Sequence, residues 1–200
     1  MKKPENLNID ENTLFLIDGS YFLYRSYFAL PTLYTIKGRP TQATYSFLRT
    51  IKKIIRDNNV NYLAVIWDSK GGSKKNTTIY PKYKANRPSP PNDLFLQKDD
   101  IIKCLNSIKI CNIHINGYEA DDIIGSIVKD NKNTKIVIVT SDEDLCQLLV
   151  YNNVIILDPL KNEFITSDIY ENKKGFSVKN ISFYFSLVGD SSDNIPGVSG

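Results

Sequence analysis

Short apolar runs alternate with amphipathic segments along the chain. Each apolar run is brief, continuous and rich in β-branched side chains, which favours a strand buried on both faces. The runs predict strands at 13–18, 60–68, 111–115, 134–142 and 153–158. Segments with apolar residues at helical spacing, or with helix-start signals, predict helices at 20–30, 41–59, 92–108, 119–131, 143–150, 166–173 and 178–190. This alternation predicts an α/β fold built on a mainly parallel sheet flanked by helices.

The helix at 41–59 shows the pattern most clearly. Its apolar residues recur on one helix face, at Phe47, Leu48, Ile51, Ile54 and Ile55. The helix at 92–108 has Asn92 as its expected N-cap, and Trp67 continues an apolar strand and is expected in the core. Between these elements, residues 69–91 are polar, basic and punctuated by Pro and Gly, which predicts a loop or mobile segment.

Composition mainly excludes classes of protein. The 200 residues are 42% hydrophobic, enough for one sizeable core, and the net charge of +3 does not by itself indicate a nucleic-acid partner. Cys104, Cys111 and Cys146 show no CxxC spacing, so we expect reduced thiols of a cytosolic-type compartment rather than a disulfide frame or zinc site. The N-terminus lacks the apolar stretch of a signal peptide, and no apolar run is long enough to span a membrane.

Acidic residues follow three predicted strands. Asp18 ends the first strand, Asp68 ends the second, and Asp142 and Asp144 lie at and just after the end of the strand at 134–142. The carboxyl ends of parallel strands share one edge of a sheet, where ligands of open α/β proteins bind. These carboxylates are therefore expected to lie near one another.

More acids occur in two short motifs. "GYEADDIIG" places Glu119, Asp121 and Asp122 at the start of a predicted helix, and "VGDSSDNIPGVSG" contributes Asp190 and Asp193. Oxygen ligands without His or Cys suit Mg²⁺ or Mn²⁺ rather than zinc, and so many carboxylates suggest two ions.

Each acid taken alone has a simpler explanation. An Asp after a strand is often a helix cap or a turn residue, and the helix dipole alone favours an acid at Asp144. A purely structural cause would have to recur at three strand ends and also explain the "EADD" cluster. The joint pattern therefore favours a cation site.

A basic segment follows Asp68 directly. Its charged residues, with no acid between them, are Lys70, Lys74, Lys75, Lys82, Lys84 and Arg87. Tyr80 and Tyr83 are interleaved with them, and Arg25 lies on the first predicted helix. Lys and Arg hold phosphate backbones, and exposed bases stack on aromatic rings, so a phosphodiester substrate is expected. A solvated loop is the alternative for a charge run considered alone.

Six motifs occur in an order that resembles a known family. They are "LFLIDGSYFLYRSYFAL", "VIWDSKGG", "YPKYKANRPSPP", "GYEADDIIG", "VTSDEDLCQLL" and "LVGDSSDNIPGVSG". Together they resemble the 5′-nuclease domain of bacterial DNA polymerase I, within the flap-endonuclease superfamily. The resemblance implies a PIN-like nuclease core over 13–188, the N-terminal resolvase-like domain of 5′-3′ exonucleases, with 69–91 as a basic loop or arch.

The resemblance also implies residue roles. A first metal site would comprise Asp18, Asp68, Glu119, Asp121 and Asp122. A second metal site would comprise Asp142, Asp144, Asp190 and Asp193. The catalytic residues would be Lys84, Arg87 and seven of these acids: Asp18, Asp68, Glu119, Asp121, Asp122, Asp142 and Asp144. The residues that contact DNA would be Arg25, Lys74, Lys75, Lys82, Tyr83, Lys84 and Arg87.

Two departures from the family pattern are visible. The family carries an aromatic-Arg pair shortly before "YP", where this chain has Lys75 and Asn76. The family also continues past "NIPGV" into a helix-hairpin-helix element, whereas this chain stops at Gly200. Residues 1–12 are expected to form an N-terminal extension, and 189–200 the start of a truncated helix-hairpin-helix region. No polymerase domain is expected within these 200 residues.

The leading hypothesis is therefore a Mg²⁺- or Mn²⁺-dependent 5′-3′ exonuclease and flap endonuclease. Its partners would be DNA with a 5′ flap or 5′ end and RNA-DNA primers in replication and repair, with no membrane, in a bacterial cytoplasm near the nucleoid. A DNA-binding module without catalysis and a PIN-type ribonuclease are the alternatives. A P-loop phosphate-transfer enzyme is disfavoured, because no G-x-x-x-x-G-K-[ST] occurs.

Overall fold

A six-stranded sheet forms the centre of the molecule. The structure, a computed structural model, describes residue 7 and residues 9–198. Residues 1–6 and 8, in the predicted N-terminal extension, and 199–200, in the predicted helix-hairpin-helix start, lie outside the described residues. The strands are β1 (Leu14–Asp18), β2 (Tyr62–Ile66), β3 (Cys111–Ile113), β4 (Ile136–Val139), β5 (Val154–Asp158) and β6 (Glu163–Ile165). Their order is β3-β2-β1-β4-β5-β6, and all neighbours are parallel except the antiparallel β5–β6 pair.

Helices cover both faces of this sheet, so the predicted mainly parallel α/β architecture is confirmed. The α-helices are α1 (Gly19–Phe28), α2 (Gln42–Asn58), α3 (Lys74–Ile79), α4 (Asn92–Ser107), α5 (Ala120–Asp130), α6 (Ser167–Lys174) and α7 (Ile181–Val188). Two 3₁₀ helices span Asp144–Val150 and Val178–Asn180. Among the helices between residues 9 and 198, none combines the length and apolar character that a membrane span requires.

Two local predictions were wrong. The predicted helix at 143–150 is present as a 3₁₀ helix over Asp144–Val150, but the basic segment 69–91 is not all loop because it contains α3. Asn92 is the first residue of α4 rather than its cap, since Pro91 occupies the cap position and offers no side-chain hydrogen bond. Proline cannot donate a backbone hydrogen bond and is well tolerated at helix starts, so its extended conformation (φ −57°, ψ 140°) marks the boundary.

The core has two halves because strand side chains alternate between the faces of the sheet. Phe15 and Ile17 of β1 pack on the side of α1, α2 and α4, whereas Leu16 packs on the side of α5. Trp67, just after β2, is fully buried and stacks on Phe47 of α2 with ring centroids 5.4 Å apart. The prediction of Trp67 as a core residue is therefore confirmed.

The strand order places a natural crevice beside β1. The chain proceeds from β1 outward to β2 and β3, and then returns to place β4 on the opposite side of β1. At such a reversal the connections leave on opposite faces, which opens a crevice at the carboxyl ends of the two central strands. Asp18 ends β1, and Asp142 follows β4 by three residues, so both acids lie at this reversal.

A small hairpin follows α7. Its strands are β7 (Gly189–Asp190) and β8 (Ile195–Pro196), paired antiparallel. Gly189 has φ 74°, and a Cβ there would lie 2.3 Å from the backbone nitrogen of Gly197, so only glycine fits. This tight crossing projects the loop with Asp190 and Asp193 towards the end of the main sheet.

Candidate active site

A cleft of about 510 Å³ opens at the reversal point of the sheet. Eight carboxylates line it: Asp18, Asp68, Glu119, Asp121, Asp142, Asp144, Asp190 and Asp193. Three basic side chains line the same cleft: Arg25, Lys84 and Arg87. Predicted residues from six separate stretches of sequence thus meet in one place, with acids in clear excess.

Asp18 is the most enclosed of these acids, with a relative exposure of 3%. Its Oδ1 accepts a hydrogen bond from the Tyr21 backbone N–H at 3.0 Å, which caps α1, and its Oδ2 accepts one from Thr140 Oγ1 at 3.2 Å. Burial raises the pKa of Asp18 to about 7, and repulsion from Asp68 and Asp142 adds to the effect, while the bond from Tyr21 opposes it.

Two further acids in the cleft, Asp121 and Asp144, also have raised pKa values. Asp121 keeps access to solvent through the open cleft, yet desolvation and repulsion from Asp18, Asp142 and Asp68 raise its pKa to about 8. Desolvation and repulsion from Asp142 and other nearby acids likewise raise the pKa of Asp144 to about 6. The protein's own basic groups therefore do not neutralise this part of the cleft.

The position of Asp68 is set by neighbours on both sides. Its backbone N–H donates to Ser20 Oγ at 2.7 Å, and its Oδ1 accepts from the Ala120 N–H at 2.7 Å. The second contact lies at the first residue of α5, where backbone N–H groups have no partner within the helix. Asp68 is thereby tied to α1, which Asp18 caps, and to α5, which carries Asp121.

Glu119 is held by the basic segment. Its carboxylate accepts hydrogen bonds from Ser73 Oγ (2.7 Å), Asn76 Nδ2 (3.0 Å), Tyr83 OH (3.1 Å) and Lys84 Nζ (2.7 Å). Desolvation opposes ionisation of Glu119, but the bonds from Lys84 and Ser73 outweigh it, so its pKa is lowered. Burial opposes the charge on Lys84, and the bond to Glu119 overcomes it and raises the pKa of Lys84. Both side chains are therefore charged and paired.

The same segment is fastened to the hairpin loop. The guanidinium of Arg87 forms an ion pair with Asp193, and Lys84 Nζ lies 3.8 Å from the other oxygen of Asp193. The Lys84 N–H donates to the Asp193 carbonyl at 2.9 Å, and Asn86 Nδ2 donates to the Ser191 carbonyl at 2.9 Å. Lys84 reaches these partners with φ 56°, a conformation that non-glycine residues rarely adopt.

Five predicted site residues are not among those lining the cleft. Asp122 is exposed and its Oδ2 accepts the Glu119 N–H at 3.2 Å, a helix-capping role. Lys74 and Lys82 are exposed, and Lys75 places its ammonium 3.7 Å from the centre of the Tyr118 ring. Tyr83 reaches the site only through its hydroxyl, which donates to Glu119.

Two hydroxyl residues that support the acids were not among the predicted site residues. Thr140 is fully buried and joins Asp18 to the backbone N–H of Asp142, which donates to Thr140 Oγ1 at 3.0 Å. Ser20 accepts from Asp68, as described above. The only signal in the sequence is their position, because each lies two residues from an acid at a strand end.

The carboxylates line one cleft without forming a closed cage. Within residues 9–198, no three acidic, histidine or cysteine side chains are grouped as a ready-made ligand set for a metal ion. Asp18, Asp68 and Glu119 each direct at least one oxygen to protein donors. Asp121, Asp142 and Asp144 nonetheless remain at the cleft wall as oxygen donors.

Comparison with known proteins gives close relatives. A 5′-3′ exonuclease of Aquifex aeolicus is 40% identical over 190 residues, which are 94% of this chain and 65% of the relative. A DNA polymerase I of Caldicellulosiruptor bescii is 40% identical over 194 residues, 94% of this chain but 23% of the relative. The chain thus spans about 65% of the length of the first relative and about 23% of the second.

A solved structure shares the fold. The bacteriophage T5 D15 flap endonuclease, in a pseudo-enzyme-product complex with DNA and metal ions, superposes with a TM-score of 0.73 at 21% identity, covering 94% of this chain and 70% of that one. The family model for the 5′-3′ exonuclease, N-terminal resolvase-like domain, matches residues 13–177. Since this match covers most of the sequence, the chain belongs to the 5′-3′ exonuclease N-terminal, resolvase-like domain family.

Proposed function

We propose that this chain is the nuclease core of a 5′-3′ exonuclease and flap endonuclease that hydrolyses DNA phosphodiesters near 5′ ends. The observation that carries the proposal is the cleft itself, where acids from separate strand ends face Arg25, Lys84 and Arg87. An acidic floor suits cations, and basic side chains beside it suit a phosphate, so the two together fit a metal-assisted phosphodiester hydrolase. RNA primers paired to DNA present the same phosphate chemistry and are proposed as further substrates.

The chemistry of the donor set fits divalent cations. All eight acids of the cleft offer hard oxygen ligands, the kind that Mg²⁺ and Mn²⁺ prefer. Desolvation first, and repulsion between neighbouring acids second, raise the pKa values of Asp18, Asp121 and Asp144, so ionising these groups is costly and bound cations would offset that cost. We propose two ions, one held by Asp18, Asp68, Glu119 and Asp121, and one held by Asp142, Asp144, Asp190 and Asp193; Asp122, which caps α5 outside the cleft, is left out of the first set.

The chain's own residues would bind and orient the substrate. Bound cations would supply positive charge that activates water and stabilises the departing 3′ oxygen. Lys84 and Arg87 would leave Glu119 and Asp193 to contact the phosphate and offset the charge that builds on its oxygens. Arg25, on α1, would contact a neighbouring phosphate. Hydrolysis would add the water's oxygen to phosphorus and break the bond to the 3′ oxygen, leaving a 5′-phosphate and a 3′-hydroxyl.

The test is cleavage of a labelled duplex with a 5′ flap in Mg²⁺, compared with EDTA. Asp121→Asn and Asp142→Asn should each lower the rate by about a hundredfold, a scale typical of losing one electrostatic group from an active site. Asp99→Asn is the matched control, because Asp99 is an exposed acid on α4 away from the cleft.

Three results would count against the proposal. Equal rates for the two cleft variants and wild type would remove the assigned roles of these acids. Flap binding by wild type without metal-dependent cleavage would favour a non-catalytic DNA-binding module. Faster cleavage of single-stranded RNA than of flap DNA would favour a PIN-type ribonuclease.

A further inference from the structure

The loop between β4 and the following 3₁₀ helix separates two cavities. On one side is the cleft, and on the other is a second cavity of about 310 Å³. Asp144 lines the cleft and not the second cavity, Asp142 lines both, and Ser141 and Glu143 line only the second cavity. Ser141 and Glu143 therefore face away from the cleft, and their contacts hold the loop from the side of the second cavity.

Ser141 is held by an acid at the end of β5. Its Oγ donates to Asp158 Oδ1 at 2.6 Å. The same Oδ1 accepts the backbone N–H of Leu160 at 3.0 Å and that of Lys161 at 3.3 Å, while Lys161 Nζ lies 3.3 Å from Oδ2. Asp158 has a relative exposure of 2%, and these bonds outweigh its desolvation and lower its pKa. An ionised, immobilised carboxylate thus anchors the loop.

Glu143 is held by α6. Its Oε1 accepts a hydrogen bond from Tyr170 OH at 2.9 Å and forms an ion pair with the ammonium of Lys174. Tyr170 is buried in the core, so its hydroxyl has little freedom to move. The two held residues, Ser141 and Glu143, lie on either side of Asp142 in the sequence. Their partners come from different elements, β5 and α6.

We propose that Asp158 and Glu143 are positioning residues, which hold the loop so that the carboxylates of Asp142 and Asp144 converge in the cleft. This inference rests on the proposed function, since it assumes that the converged acids take a divalent cation. Two carboxylates at Asp142 and Asp144 carry like charges when ionised, so their repulsion favours spreading of the loop unless contacts hold it. The contacts of Ser141 with Asp158 and of Glu143 with α6 oppose that spreading. Neither Asp158 nor Glu143 lines the cleft.

Cation affinity is the property that a positioning role would change. Residues that orient metal ligands typically change affinity by about tenfold or more when removed. We expect Asp158→Ala to weaken Mn²⁺ binding about tenfold, measured by electron paramagnetic resonance without DNA. Asp158→Asn keeps an Oδ1 acceptor for Ser141 and for the two backbone N–H groups, so it should retain most of the affinity.

Further variants separate positioning from general stability. Ser141→Ala removes the same hydrogen bond from the loop side while Asp158 keeps its other contacts, so it tests the anchor even if Asp158→Ala fails to fold. The double variant should bind Mn²⁺ no more weakly than Asp158→Ala alone, because both substitutions remove the same Ser141–Asp158 hydrogen bond. Glu163→Gln is the matched control, since it removes an exposed carboxylate from the wall of the same cavity. Urea unfolding of each variant gives the stability change for comparison.

The outcomes are distinct. Mn²⁺ affinity weakened in Asp158→Ala and Ser141→Ala but not in Glu163→Gln supports the positioning role. Equal affinity in wild type, Ser141→Ala and Glu163→Gln overturns it, as does a wild type that binds no Mn²⁺. Intact Mn²⁺ binding without flap cleavage would instead refute the proposed nuclease function, and the comparison of Mn²⁺ affinities would still decide whether the anchors position the loop.

Discussion

Neutralising Asp18 should stabilise the cation-free protein at alkaline pH. Asp18 is almost completely buried, and its pKa is raised from 3.8 to about 7. In Asp18→Asn, the amide oxygen can still accept from the Tyr21 N–H, so the cap of α1 is kept. The amide nitrogen can donate to Thr140 Oγ1, but the buried Thr140 O–H then loses the Asp18 oxygen as its acceptor, a cost that does not vary with pH. The pH-dependent effect of the substitution is therefore the loss of the charge.

The magnitude follows from proton linkage. Because the folded-state pKa lies above the unfolded value, the folded protein keeps a proton that the unfolded chain releases. The cost to stability is absent well below about pH 4, grows as pH rises, and is complete above about pH 7. A difference of one pKa unit is worth about 1.4 kcal/mol. At pH 5 only the interval between the unfolded pKa and the pH contributes, which gives a cost of about 2 kcal/mol. At pH 8.5 the whole difference between the two pKa values contributes, which gives about 4 kcal/mol.

The assay is urea unfolding in EDTA at several pH values. The free energy of unfolding of Asp18→Asn should exceed that of wild type by a margin that widens from about pH 5 to about pH 8.5. Adding Mg²⁺ should stabilise wild type more than the variant, because the variant lacks one acidic ligand. Asp99→Asn should show no such trend. A margin that stays constant with pH would refute the electrostatic reasoning.

Three other changes test the fold and the basic segment. Trp67→Ala should lower the free energy of unfolding by about 3–5 kcal/mol, measured with urea, because the side chain is fully buried; a cost below about 1 kcal/mol would show that the site is loosely packed. Gly19→Ala should cost about 1–3 kcal/mol in the same assay, because its Cβ would lie 2.7 Å from the Ile66 carbonyl oxygen, and an unchanged midpoint would contradict that contact. Glu119→Gln should weaken its bond to Lys84 and speed tryptic cleavage within 69–91 in EDTA, whereas a wild-type digestion rate would mean that other contacts hold the segment.

Local pattern was enough to predict the strands and the edge where the acids lie. An apolar run such as 134–142 must be buried wherever it goes, and parallel strands share one carboxyl edge, so Asp18, Asp68 and Asp142 could be placed together from order alone. Short elements were harder. β6 has only three residues and was not predicted, because its pairing with β5 depends on a neighbour rather than on its own pattern.

The partners of the acids were decided by the tertiary structure. Thr140 and Asp18 are 122 residues apart in sequence, and Arg87 and Asp193 are 106 apart. Residue type and spacing could predict that acids gather and that a basic segment lies beside them. Hydrogen bonding depends on distances of about 3 Å between particular atoms, and those distances exist only after the sheet and its loops have packed. For that reason, the sequence could not predict that Lys84 binds Glu119 or that Asp158 holds Ser141 beside Asp142. The tertiary structure was needed to identify both contacts.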